Sequence, residues 1–248
     1  MKKFATYCGL AAFAGAAFCV GEAGAAWELI ASYPTPAADP RGYHLADLNA
    51  GWIVDAAATP YVYNVNWPSA SITASFRAPG GAGAWGVCAG PGGHLYVSNN
   101  VTSYLYETTT AGSVVTSFPC PVPGPADMTR AYPGPYLYVA IPDRNVIAVV
   151  NTTTGSLASS YAAPGSRPTA CCSYGACFVA DSAEHAVYFE GKPIVTAIQT
   201  PTGLDEMSST FDVTFLYVAD DATDRLYVYQ SDVPVEPASL GRVKALFR

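Results

Sequence analysis

Residues 215–229, FLYVADDATDRLYVY, contain two apolar runs that are separated by a short polar segment. Both runs are rich in aromatic and β-branched residues, which favour strands. Asp and Thr fill the segment between them, and these side chains hydrogen-bond to nearby backbone in tight turns. The stretch therefore predicts two short antiparallel strands joined by a polar turn.

The same design occurs four more times along the chain, and each copy is followed by a second apolar run. The copies are WIVD at 52–55, LYVS at 95–98, LYVA at 137–140 and CFVAD at 177–181. The central valines of the five copies are Val54, Val97, Val139, Val179 and Val218, which lie 43, 42, 40 and 39 residues apart. A period of about 40 residues is typical of one four-stranded β-propeller blade per repeat.

An apolar run followed by a loop rich in Pro and Gly precedes each of these strands. The runs end at positions 33, 76, 118, 161 and 198, in step with the valines. Each repeat thus predicts an outer strand, a loop, an inner strand, a second strand, a polar turn and a third strand. Because neighbouring residues of the second strands are all apolar, each sheet must be covered on both faces.

The two ends of the repeat region predict how the ring closes. The first repeat begins with an outer strand at 27–33, and the last repeat ends after its third strand at Gln230. Pairing of these segments completes the last blade and removes exposed strand edges. The predicted fold class is all-β, a single five-bladed β-propeller over residues 26–230 closed by the N-terminal strand. Six blades are a minor alternative, since a sixth would need roughly 40 more residues.

Residues 137–155, LYVAIPDRNVIAVVNTTTG, with Gly165 and Pro168 beyond them, resemble the YVTN family of β-propeller repeats. The Val-Ala-Asp turns at 179–181 and 218–220 are similar to NHL repeats. The resemblance covers nearly all of residues 27–230 and consists of strand and turn residues. It implies a ligand-binding platform and, in some members, a lyase or lactonase. The first repeat departs most from the pattern, with Ala56, Ala57 and Ala58 in place of a polar turn.

The segments outside the repeats predict export and a C-terminal tail. Lys2 and Lys3 precede an apolar run at 4–20, and Ala-Gly-Ala at 23–25 has the form of a cleavage site, so residues 1–25 are a predicted bacterial signal peptide. We therefore expect a secreted, periplasmic or cell-surface protein without a membrane span. Residues 231–248 read as a Pro-spaced linker and a short amphipathic tail, which either packs on the propeller or serves as a sorting or docking tag.

Charge limits the class of partner. The formal net charge is −7, and loss of Lys2, Lys3 and Glu22 with the signal peptide changes it to −8. A polyanion is repelled by such a chain, and there is no basic stripe to offset the repulsion, so nucleic acid is excluded. The partners that fit are a protein, a glycan or a small molecule, bound by a monomer.

Five cysteines follow the predicted cleavage site: Cys88, Cys120, Cys171, Cys172 and Cys177. If residues 174–175 form a two-residue hairpin turn, Cys172 faces Cys177 across the strands at a distance that suits a disulfide. The alternative for this pair is two small buried thiols. The pairing of the other three cysteines is left open by the sequence.

Acidic residues and arginines recur where polar turns and inner-strand loops share one end of a propeller. The candidates for ligand binding are Asp181, Glu184, His185, Asp220, Asp224, Arg225 and Arg144. The same turns carry Asp55, Asp143 and Asp221, and the loops entering inner strands add Asp39, Arg41, Asp127, Arg130, Asp205 and Glu206. Such a face could coordinate Ca²⁺ or hold a carboxylate or sugar. The favoured alternative is turn chemistry alone, so no cofactor is predicted and Ca²⁺ stays the open possibility.

Catalytic residues are not predicted. The three histidines, His44, His94 and His185, fall on an inner strand, a turn at the opposite end and a polar turn. They form neither a metal-ligand spacing nor a Ser-His-Asp set, and His185 with Glu184 is the best acid-base candidate. The sequence favours a secreted, non-catalytic binding propeller that presents an end face. The alternative is a metal-assisted hydrolase or lyase that uses the acidic loops.

Overall fold

The computed structural model describes residues 27–231, except for 48, 68, 132–133, 173–177 and 209–213 and the side chains of 207 and 208. The predicted signal peptide and residues 232–248 of the tail lie outside the described residues. Within the described part there is no helix of the length and apolarity that a membrane crossing requires.

In the part of the chain that the structure describes, twenty strands form five four-stranded antiparallel sheets, which confirms the five-bladed β-propeller. Blade 1 contains β2 (Pro40–Asp47), β3 (Ala50–Asp55), β4 (Tyr61–Asn66) and β5 (Ser71–Arg77). Blade 2 contains β6 (Ala84–Ala89), β7 (Leu95–Asn99), β8 (Tyr104–Thr108) and β9 (Val114–Pro119). Blade 3 contains β10 (Met128–Ala131), β11 (Tyr136–Ile141), β12 (Val146–Asn151) and β13 (Ser156–Ala162). Blade 4 contains β14 (Pro168–Cys172), β15 (Phe178–Asp181), β16 (Ala186–Phe189) and β17 (Lys192–Val195).

Blade 5 contains β18 (Pro201–Ser208), β19 (Thr214–Asp220), β20 (Arg225–Ser231) and, as its outer strand, β1 (Trp27–Pro34). The register runs from Trp27 opposite Ser231 to Pro34 opposite Arg225, so the N-terminal strand closes the ring as the sequence predicts. Arg225 ties the two strands together, since its Nη2 donates to the carbonyl of Ser32 at 3.0 Å and to its Oγ at 2.8 Å. Two short 3₁₀ helices, at Pro91–Gly93 and Pro142–Arg144, lie in connections.

The hydrophobic core lies between the blades and not within them. Each of five clusters of buried side chains joins two adjacent blades, so that Val54 and Val62 of blade 1 pack with Val87 and Val97 of blade 2. The valines that define the repeat are 0 to 2% exposed. A sheet covered on both faces cannot be stable alone, so the ring is stable only as a whole.

The fourth blade departs from the predicted strand positions. Cys172 lies opposite Phe178, where the sequence interpretation placed it opposite Cys177. Cys177 lies outside the described residues, so the disulfide stays a prediction; no disulfide joins the described Cys88, Cys120, Cys171 and Cys172 to one another. The outer strand β17 ends at Val195, three residues before the predicted Ile198.

Candidate functional site

The turns that follow the second strands and the loops that enter the inner strands lie at one end of the ring, here called the turn face. Pro40 pairs with Asp55, Pro168 with Asp181 and Pro201 with Asp220, so each inner strand begins where the second strand of its blade ends. The predicted grouping of the two sets of loops is therefore confirmed. The opposite end carries the connections between the inner and second strands.

Asp181 and Asp220 are fully buried at the start of their turns. One oxygen of Asp181 accepts the backbone N–H groups of Ala183 and Glu184 at 2.9 and 2.8 Å, and the other accepts those of Ser166 and Arg167 at 2.7 and 2.6 Å. Asp220 repeats the arrangement with four N–H groups at 2.8 to 3.2 Å, two in its own turn and two in the loop from the previous blade. Both carboxylates thus hold the turn and the loop together, as turn chemistry predicts.

His185 and Asp224 occupy the last position of their turns, with φ of 54° and 53°. Ser103 and Asn145 take the same left-handed conformation at the equivalent place in blades 2 and 3. Short polar side chains and His tolerate this conformation better than other residues do, so turn geometry accounts for both residues. The ring Nδ1 of His185 also contacts the carbonyl oxygen of Gln199.

The remaining candidates are dispersed over three blades. Glu184 accepts a hydrogen bond from the Oγ of Ser166 at 3.0 Å, Arg225 is bound to β1, and Arg144 is exposed on blade 3. Among the described residues there is no group of three His, Cys, Asp or Glu side chains that could hold a metal ion. The structure therefore does not bring the seven candidates together at one point.

Four residues that the sequence interpretation assigned to loops of the turn face lie elsewhere: Asp127, Arg130, Asp205 and Glu206. Arg130 belongs to β10, and Asp205 and Glu206 belong to β18, because these inner strands begin earlier than expected. Asp205 accepts the backbone N–H of Leu45 at 2.7 Å and pairs with the Nδ1 of His44 at 2.9 Å, and so joins blades 5 and 1.

The inner strands meet closely at one level of the ring axis. Gly42, Gly86, Asp127, Ala170 and Gly203 hold equivalent positions, one in each blade. A Cβ on Gly42 would lie 2.5 Å from the Cα of Gly86, and one on Gly86 would lie 2.6 Å from the Cα of Asp127. Only residues without a bulky side chain fit at this distance, and four of the five positions carry Gly or Ala. The position in blade 3 carries the carboxylate of Asp127.

Asp127 is 0% exposed and bonds to the inner strands of three other blades. Its Oδ1 accepts the N–H of Val87 at 3.1 Å, and its Oδ2 accepts those of Leu204 at 3.1 Å and Tyr43 at 3.4 Å. Burial raises the pKa of Asp127, and the backbone N–H groups that bond to the carboxylate oppose the rise. This axial seal, made of Asp127 and the four small residues, fills the centre of the ring.

On the turn-face side of the axial seal lie the residues that precede its five members in the inner strands. They are Arg41, Trp85, Ala126, Thr169 and Thr202. The Nε of Arg41 lies 2.6 Å from Asp39 Oδ1, and its Nη1 lies 3.2 Å from Asp221 Oδ2. The guanidinium carbon lies 4.8 Å from the centroid of the Trp85 ring, a cation-π contact. Asp39, Arg41, Trp85 and Asp221 together are called the axial mouth.

Two groups of the axial mouth lie in environments that differ from those of surface side chains. The indole Nε1 of Trp85 is buried and has no hydrogen-bond partner among the described residues. Burial and the neighbouring Asp39 raise the pKa of Asp221 to about 6, and the positive charge of Arg41 opposes this rise. The sequence interpretation placed Asp39, Arg41 and Asp221 on this face but missed Trp85. The sequence pattern that could have identified Trp85 is the alignment of Trp85-Gly86 with Arg41-Gly42 and Thr202-Gly203. This alignment places Trp85 next to the axis.

The buried thiols take no part in such a site. Burial raises the pKa values of Cys88, Cys171 and Cys172, and it raises that of Cys120 to about 11. The negative charge of Asp127 adds to the effect at Cys88 and Cys171. A thiol held in its protonated form is a poor nucleophile and a poor metal ligand.

Neither a family model nor a curated protein matches the sequence. Among solved structures, a catalytically inactive variant of virginiamycin B lyase from Staphylococcus aureus with quinupristin matches with a TM-score of 0.50 and 18% identity, over 79% of this chain and 67% of that one. A protein of unknown function from Bacteroides caccae matches with a TM-score of 0.49 and 14% identity, over 73% and 70%. Hydrazine synthase of Kuenenia stuttgartiensis matches with a TM-score of 0.48 and 15% identity, over 75% of this chain.

The chain spans 57% of the hydrazine synthase chain, less than two thirds of its length. The likeness to the lyase shows a common propeller fold, and at 18% identity it shows the fold alone. The five sheets define the class as a five-bladed β-propeller, and membership of the YVTN or NHL families stays a prediction.

Proposed function

We propose that the protein is an exported, non-catalytic propeller that binds a glycan at the axial mouth. The observation that carries the proposal is the Arg41 guanidinium, held on the Trp85 ring between the carboxylates of Asp39 and Asp221. These groups offer hydrogen-bond donors, acceptors and an aromatic surface within one small area of the turn face. The net charge leaves a protein, a glycan or a small molecule as partner, and this set of groups favours a ligand rich in hydroxyl groups among them.

Sugar hydroxyls match this set because each hydroxyl both donates and accepts. The two aspartates accept from hydroxyl groups, Arg41 donates to them, and the ring of Trp85 supplies the aromatic surface. Three side chains of the mouth are only 22 to 29% exposed, so their orientation is fixed before a ligand binds. The signal peptide predicted at 1–25 supports a location outside the cytoplasm, where free glycans and cell-surface polysaccharides are accessible.

The alternative is a metal-assisted hydrolase or lyase at the acidic face. It would need several carboxylate or imidazole groups directed at one point. In the described part of the chain the carboxylates of Asp181 and Asp220 are occupied by backbone N–H groups, and a cluster that suits a metal is absent. These observations favour the binding protein over the hydrolase or lyase.

A glycan array probed with the purified, fluorescently labelled protein tests the proposal. We expect selective binding to one family of glycans, with binding weakened at least about fivefold for Trp85→Ala and for Arg41→Gln, because each loses a contact of about 1–3 kcal/mol. Tyr104→Ala, an exposed aromatic of β8 away from the axis, is the matched control. Equal binding by all variants whose circular dichroism matches the wild type, or binding to no glycan, would refute the proposal.

A further inference from the structure

A polar cavity of about 330 Å³ lies at the end of the ring opposite the turn face, between blades 2 and 3. Its wall includes Tyr96 and Glu107 from blade 2 and Arg130 and Thr152 from blade 3. Ligand pockets in proteins commonly have volumes of about 300–1,000 Å³, so this cavity has room for one small molecule. It is separated from the axial mouth by the axial seal.

The blade 2 side of the cavity carries a buried carboxylate. Glu107 is 9% exposed, its Oε1 lies 2.6 Å from the Nδ1 of His94, and its Oε2 accepts from the hydroxyl of Tyr96 at 3.5 Å. Burial raises the pKa of Tyr96, so this hydroxyl stays protonated and acts as a donor. The carboxylate therefore has an orientation set by two neighbours and retains capacity to accept a further hydrogen bond.

The blade 3 side of the cavity carries a cation, Arg130. Arg130 is half-buried on β10, and among the described residues no carboxylate forms an ion pair with it. It lines the same cavity as Glu107 without contacting it as an ion pair, so space separates the two charges. A guanidinium is permanently charged, and its planar set of donors matches a carboxylate in a bidentate pair.

We propose that this cavity is a second binding site, which takes a small carboxylic acid that also carries a hydroxyl or amino group. The ligand carboxylate pairs with Arg130, and its hydroxyl or amino group donates to Glu107. The two protein charges of opposite sign reject a neutral sugar, which leaves the guanidinium unpaired, and reject a simple cation, which Arg130 repels. The site is independent of the glycan proposal because it uses other residues at the other end of the ring.

Isothermal titration of the purified protein with sodium D-glucuronate, L-serine and D-glucose tests the proposal. We expect saturable heat with glucuronate, serine or both that Arg130→Gln removes, whereas glucose, which has hydroxyl groups but no carboxylate, should give no heat that depends on Arg130. Which of the first two binds more tightly distinguishes the hydroxy acid from the amino acid. If neither carboxylate gives saturable heat, the proposal is wrong.

Arg130→Gln should weaken the binding of the carboxylate at least tenfold, since it removes the charge but keeps hydrogen-bond donors. Arg77→Gln removes a charge of the same type from an exposed position on β5 and should leave the affinity unchanged. Glu107→Gln, which keeps the size of the side chain, should weaken serine more than glucuronate, because an ammonium group depends more on the charge than a hydroxyl does. Equal affinities for Arg130→Gln and Arg77→Gln would overturn the assignment of Arg130.

Discussion

Replacement of Asp127 by Ala tests whether the carboxylate on the axis holds the ring together. In the wild type this side chain accepts the N–H groups of Tyr43, Val87 and Leu204, which belong to blades 1, 2 and 5. Ala fits the position, since Ala170 holds it in blade 4. The substitution therefore removes the acceptor without introducing bulk.

The expected loss follows from the three N–H groups that remain buried without an acceptor. Each costs about 1–3 kcal/mol, so the sum is roughly 3–9 kcal/mol. Removal of a buried carboxylate also relieves its desolvation cost, which offsets part of the loss. We expect a net decrease of about 4 kcal/mol in the free energy of unfolding, a large part of the roughly 5–15 kcal/mol that stabilises an ordinary domain.

Thermal unfolding followed by circular dichroism measures this loss. At about 2–4 °C for each kcal/mol in a domain of this size, the melting temperature should fall by roughly 8–16 °C. Asp127→Asn keeps one acceptor oxygen and should show about half of that fall. Asp143→Ala, at an exposed aspartate of the turn face, is the control and should change little. If Asp127→Ala melts within about 2 °C of the wild type, the axial seal does not stabilise the ring as argued.

Three further substitutions or treatments test other parts of the structure. Asp181→Ala leaves four backbone N–H groups without their acceptor and should lower the unfolding free energy by several kcal/mol in urea denaturation, whereas Asp143→Ala at an exposed position should change it by about 0.5 kcal/mol or less. Because the pKa of Asp221 is raised to about 6 in the folded protein, proton uptake stabilises the fold as the pH falls from about 6 towards the usual value near 3.8; the wild type should gain stability relative to Asp221→Asn over that window, and parallel pH profiles would show that the shift is absent. Cys88, Cys120, Cys171 and Cys172 are buried with raised pKa values and should not react with a maleimide in the native protein at neutral pH, so rapid labelling of any of them, located by mass spectrometry, would contradict their burial.

The sequence predicts the blades and the closure of the ring because both depend on local patterns. The spacing of the valines from Val54 to Val218 sets the blade count, and the two unmatched segments at 27–33 and 225–230 predict the pairing of β1 with β20. The turn role of Asp181 and Asp220 follows in the same way, since the residues that they bond lie in turns and loops that are recognisable from composition.

The chemistry at the axis could not be predicted from the same patterns. Asp127 follows a loop rich in Pro and Gly, so the sequence interpretation grouped it with surface aspartates, whereas its alignment with Gly42, Gly86 and Gly203 places it in the centre of the ring. The contacts of Trp85 with Arg41 depend on how blades 1 and 2 meet, which strand periodicity does not specify. The position of Cys172 opposite Phe178 depends on the length of one hairpin, and a shift of a single residue changes the partner.

The account depends most on the pairing of the N-terminal strand with the last strand of the repeat region. Glu28 lies opposite Gln230 in the register of β1 and β20, and facing residues of antiparallel strands have Cα atoms about 4.5–5.5 Å apart, within reach of a disulfide. Mild oxidation of Glu28→Cys/Gln230→Cys should therefore form a crosslink between residues 28 and 230, identified by mass spectrometry of the unreduced digest, and should raise the melting temperature. Absence of this crosslink, in a double variant that is folded and has both new thiols accessible to a maleimide before oxidation, would contradict the closed five-bladed ring.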